Sequence, residues 1–187
     1  MSKIKENSGV LVQGHIKIHD PESGAVFVNK RNAIHYENMS IALAESVANA
    51  GQGFISSMAF GNGGTSVDPT GIITYLTPNS TGTNASLYNQ TFTKIVDDRS
   101  VSNLDPQRNK IETRHVNGTN YTDVVVTCLL DYGEPNGQDA TDTASASDSL
   151  YVFDELGLTS YASSGTGKLL THVIFHPVQK SLNRLIQ

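Results

Sequence analysis

The chain has 187 residues, 37% of them hydrophobic and 17% charged, with a formal net charge of −5; this fits one globular domain and lies above the disordered range. Net acidity without a Lys/Arg cluster makes the chain a poor candidate for gripping nucleic-acid phosphates. Cys128 is the only cysteine, which excludes an intrachain disulfide, and no apolar run is long enough to span a bilayer.

Residues 1–9 are polar, lack the apolar stretch of a signal peptide, and read as a flexible N-terminal arm ahead of a single β-rich structural domain over 10–187. Ile16 and Ile18 alternate with polar residues, Asp20-Pro-Glu-Ser-Gly24 signals a turn, and residues 25–29 return, which predicts a hairpin. Met39, Leu43 and Val47 recur at four-residue steps and predict a helix over 38–51, capped by Asn38 and closed by Gly51. The apolar run from Phe54 to Phe60 stops at Gly61-Asn62-Gly63-Gly64. We read it as a buried strand ending in a tight turn, with Gly63 or Gly64 at positive φ. The glycines imitate a phosphate cradle, but no Lys-Ser/Thr follows and no helix opens after them, so a structural loop is expected.

Strands are predicted over 72–76 and 91–96, with a polar loop at 77–90 between them and a polar connection over 97–109. Residues 110–116 and 121–130 flank Asn117-Gly118, the strongest short hairpin signal in the chain. Cys128 lies in the second of these strands and is expected to be a buried, inert thiol. A second polar loop covers 133–149. A short strand at 150–153, a bend at Glu155-Leu-Gly-Leu158, a long apolar strand at 168–176 and a turn at 177–181 complete the pattern. Asn183–Gln187 opens one more strand, whose unpaired edge is expected to accept a strand from a neighbour. Together these elements predict a mainly β fold: an antiparallel β-sandwich with one α-helix packed on it and long polar loops. Its core is expected to include Ile16, Ile18, Leu43, Val47, Phe60, Val124, Val126, Cys128, Val173 and Phe175.

No catalytic constellation is legible. His15 and His19, and His172 and His176, lie four apart, but four strand residues span about 13 Å, too far for two imidazoles to share one metal. These histidines are read as surface or partly buried. Asp139, Asp142 and Asp148 lack the alternation and closing Glu of a calcium loop. Gly-x-Ser-x-Gly is missing, and Gly165-Thr-Gly-Lys168 lacks the first glycine and the Ser/Thr of a P-loop. Carboxylate neighbours such as Asp97 and Asp98 show no sign of sharing a cleft. No cofactor, metal or catalytic residue is therefore assigned. The positions singled out are the structural turns, Gly61, Asn62, Gly63, Gly64, Asn117 and Gly118.

Phe60-Gly-Asn-Gly-Gly-Thr65 followed by Pro and Thr, then alternating strands, then Glu155-Leu-Gly-Leu158 ahead of 169–175, is an order of features spanning 54–187. It resembles modules of tailed-bacteriophage neck or collar, tail and baseplate proteins. The resemblance implies a non-enzymatic virion structural subunit, assembled as a homo-oligomer in the host cytoplasm, with other virion proteins as partners; charge and the lack of a long apolar run add the expectation of neither nucleic acid nor membrane as partner. A capsid head decoration protein is the alternative within that class. A carbohydrate-binding β-sandwich is the alternative outside it, with Tyr75, Tyr88, Tyr121, Tyr132, Tyr151 and Tyr161 available as platforms and Trp absent. The arm over 1–9 and the loop over 133–149 are expected to touch other chains, being too polar to pack by themselves.

Overall fold

Ten strands and one helix make up the computed structural model, which describes residues 9–135, 150–164 and 167–187. In chain order they are β1 (Gly14–His19), β2 (Val26–Ile34), α1 (Tyr36–Val47), β3 (Ile55–Gly61), β4 (Thr65–Val67), β5 (Ile73–Tyr75), β6 (Gln90–Ile95), β7 (Lys110–His115), β8 (Thr122–Thr127), β9 (Leu150–Ser160) and β10 (Thr171–Ser181). Six strands pair antiparallel in the order β1-β2-β10-β9-β3-β6, and β4–β5 and β7–β8 are separate two-stranded hairpins. The fold is mainly β and sandwich-like, with a single helix.

The main core lies on one face of the six-stranded sheet. Phe60, Phe153, Leu156, Val173 and Phe175 are buried there, and Ile111 and Val126 of the β7–β8 hairpin pack against them. Phe153 sits edge-on to Phe60 at 5.5 Å and to Phe175 at 5.8 Å, and stacks on Tyr151, the arrangements that ring quadrupoles favour. A smaller apolar cluster joins Ala59 to Leu87 and Leu169. Cys128 is buried in the main core, and burial pushes its thiol up to about 12, as expected of an inert cysteine.

Several expectations are corrected. The helix begins at Tyr36, capped by His35, whose side chain accepts the Asn38 N–H at 3.2 Å. Leu43 and Val47 are exposed, Val47 by 87%; the helix instead buries Asn38 and Ala42. Asn38 donates from Nδ2 to the Leu169 carbonyl at 2.9 Å, so the docked face carries a hydrogen bond and a methyl group rather than a wide apolar stripe. Val124 is also exposed, although Val126 packs against the core. The two lie on one face of β8, but Val124 pairs with Thr113 toward the hairpin tip, beyond the reach of the sheet.

Residues 155–158 are not a bend but the middle of β9, and Pro177 lies inside β10. There Glu155 pairs with Ile174 and Phe153 with Val178, so β10 carries two more residues than β9 across the same interval. A proline is tolerated at such an irregularity because no regular ladder bond needs its missing N–H. The last residues do not present a free edge. Ile186 bridges Leu130, and Gln187 exchanges both backbone hydrogen bonds with His19, at 2.8 and 2.9 Å. The expected contacts of 1–8 and 136–149 fall on residues outside the described ones.

Candidate functional site

β3 ends at Gly61 beside the middle of β9, and its continuation brings the glycine loop against Asp154 and Glu155. These adjacent carboxylates are buried, as is His172 on β10. A buried carboxylate persists only where donors surround it, and here the loop backbone supplies them. Gly64 N–H donates to Asp154 Oδ1 at 2.9 Å, Thr65 N–H to Oδ2 at 2.9 Å, and the Thr65 hydroxyl to Oδ2 as well. Glu155 Oε1 accepts from the amides of Gly63 at 3.1 Å and Asn89 at 2.8 Å. Its Oε2 accepts from the Tyr88 amide at 2.9 Å and from His172 Nε2 at 3.0 Å.

The imidazole proton can be placed. His172 Nδ1 accepts the Asn79 N–H at 2.7 Å, so the ring carries its hydrogen on Nε2, toward Glu155. Burial by itself would raise the Glu155 pKa, but the hydrogen bonds from His172, Asn89, Tyr88 and Gly63 together outweigh it and hold the carboxyl below its ordinary 4.5.

The glycines are required for closeness, not for handedness. Gly63 and Gly64 do not have positive φ, contrary to expectation. A Cβ on Gly61 would lie 2.5 Å from both the Asn89 carbonyl oxygen and Glu155 Oε1; one on Gly63 would lie 2.7 Å from the Asn89 nitrogen. Asn62 closes the loop from the other side: its N–H donates to the Asn89 carbonyl at 3.1 Å, and its Oδ1 accepts from Asn89 Nδ2 at 2.6 Å. Asn117 and Gly118 are not part of this cluster. They turn the β7–β8 hairpin, where Gly118 does take a positive φ of 86°.

The sequence reading found the loop but missed what fills it. Its amides cradle an anion after all, and the anion is the chain's own pair of carboxylates. The available signal was Asp154-Glu155 between Phe153 and Leu156: two acids inside an apolar strand demand donors from elsewhere. His172, read as surface or partly buried, is fully buried, whereas His176 is exposed and meets the Tyr75 hydroxyl at 3.3 Å. Among the described residues no group of three or more His, Cys, Asp or Glu side chains is arranged to hold a metal. A second buried charge, Lys180, donates to the carbonyls of Asp131 and Ser181, each at 2.9 Å, and burial lowers its pKa.

Chemically, the cluster is a clamp. Four donors occupy the four principal acceptor sites of Glu155, leaving none for a substrate. It ties the end of β3, the approach to β6, the centre of β9 and the start of β10 into one polar knot. Compared with protein-family models, curated proteins and solved structures, the chain matches none.

Proposed function

We propose that the chain is a non-enzymatic structural subunit of a tailed-phage virion, working as a homo-oligomer in the neck or collar, tail or baseplate. The virion placement rests on the order of sequence features over 54–187. Its chemistry agrees with a scaffold: the clustered acids and histidine are spent on internal hydrogen bonds.

The observation that carries assembly is the connection between β6 and β7. Val101 and Leu104 are 99% and 97% exposed there, on a loop that is firmly pinned. Asn103 Nδ2 donates to the carbonyls of Asp97 and Asn109 at 3.1 and 2.8 Å, and Asn109 Oδ1 accepts the Leu129 N–H at 2.8 Å. A loop so fixed holds two apolar side chains in water at a continuing hydrophobic cost, which a neighbouring subunit would relieve.

The test is a Val101→Asp/Leu104→Asp double variant, followed by sedimentation of the purified chain and by incorporation into virions. The expected result is an unchanged circular dichroism spectrum with assembly and incorporation lost. Full incorporation of the variant overturns the assembly surface, and absence of the wild-type chain from purified virions overturns the placement.

A further inference from the structure

We propose that the outer face of β3, β6 and β9 carries a binding site for a neutral saccharide ring. The inference is independent of the virion reading. The register places its components side by side: Ser57 pairs with Thr159, and Ala59 pairs with Thr93. Paired residues share a face, and so do residues two apart along a strand, so Ser57, Thr93 and Thr159 point the same way. The cover formed by Leu87 and Leu169 reaches Ala59, and the next rung, Ser57–Thr159, forms part of a groove of about 200 Å³ whose lining also includes Gln90 and Tyr161.

Three properties fit a sugar better than other ligands. Among the described residues no charged side chain lines the groove, which disfavours phosphates, carboxylates and ammonium groups. The hydroxyls are pre-arranged: Ser57 Oγ and Thr159 Oγ1 lie 2.6 Å apart, and Gln90 Nε2 donates to Thr93 Oγ1 at 2.7 Å. Each hydroxyl can donate once and accept twice, so these contacts leave capacity for the paired donor–acceptor groups of a sugar ring. Finally, Tyr161 supplies an aromatic face at the groove. Its ring stacks on Phe54 at 4.9 Å and 7°, and its backbone N–H donates to the Phe54 carbonyl at 2.7 Å. Phe54 takes one ring face of Tyr161 and fixes its orientation, leaving the other for the apolar C–H face of a pyranose. Of the six tyrosines considered as platforms from sequence, Tyr161 is the one lining this groove, and Tyr151 is buried in the main core.

The experiment is saturation-transfer difference NMR on the full chain with D-glucose, D-galactose, D-mannose and N-acetyl-D-glucosamine, beside an immobilised array of neutral oligosaccharides. Transfer to at least one free sugar is expected, with a dissociation constant on the order of 1 mM. Tyr161→Phe should retain binding, and Tyr161→Ala should weaken it by about tenfold or more. Because Tyr161→Ala also removes a packed ring, Gln90→Ala serves as a second variant on an exposed side chain and should weaken binding severalfold without changing the melting temperature. An array signal without transfer to free monosaccharides assigns the site to a surface glycan of several rings. Silence in both assays overturns the proposal, as does binding that neither alanine variant alters.

Discussion

Glu155 shows how a single carboxyl can be deeply buried and still have its pKa held below the ordinary value. Its folded pKa is depressed, so its contribution to stability is complete above the unfolded value of 4.5 and is lost as pH falls through the lower folded value. In Glu155→Gln an amide NH₂ would face either two backbone N–H groups, or the Tyr88 N–H and His172 Nε2–H. We expect a loss of about 1–3 kcal/mol at pH 7, the cost of mismatched buried donors. Below pH 4.5 the variant should lose less further stability than the wild type. Urea titrations across that range decide the matter, and parallel profiles for the two proteins would remove Glu155 from the account. Gly61 belongs to the same knot: added bulk there meets a backbone oxygen, unlike at Gly118, where a Cβ would meet nothing within 4 Å and the strain is in φ.

At the scale of elements, periodicity located the structures better than it oriented them. The β1–β2 and β7–β8 hairpins were readable because Gly24 and Gly118 turn them at positive φ between alternating strands. The helix was readable as a helix, but its stripe was assigned to the wrong side. Asn38 and Ala42 lie one position before Met39 and Leu43, a rotation of about 100°, and the docking that selects them depends on the Leu169 carbonyl, far away in sequence. The substitutions Leu43→Lys and Val47→Lys should therefore change stability by no more than about 0.5 kcal/mol. Phe60→Ala, in the same denaturation assay, should cost about 3–5 kcal/mol. A comparable loss from Val47→Lys would mean that the helix docks through its apolar face. The 155–158 segment and Pro177 were misread for a related reason. Gly157 suggested a break, yet it is where Leu169 and the Thr171 carbonyl close over β9; a Cβ there would meet both at 2.6 Å.

Across the whole molecule, strands distant in sequence lie side by side: β3 stands between β6 and β9, and β10 between β2 and β9. No local pattern encodes that order, which is why the fold class was legible and the polar knot was not. The chain's last residues follow the same rule. Ile186 is buried and bridged to Leu130, and Gln187 to His19. Ile186→Ala should lower folding stability by about 2–5 kcal/mol, measured by urea denaturation of the isolated chain. A variant that folds as stably as the wild type and fails only in assembly would restore the reading of this segment as an edge offered to a neighbour.

The polar knot also sets a timetable. Gly63 and its acceptor Glu155 are 92 residues apart, so at ribosomal rates the loop is made roughly 5–20 s before the carboxylate exists. For that interval the amides at 63–65, joined later by those at 88–89, have water in place of their acceptors, and β3 lacks its β9 partner. Until Asp154 and Glu155 emerge these amides are therefore solvated donors, and the loop can close only when β9 arrives with its acceptors.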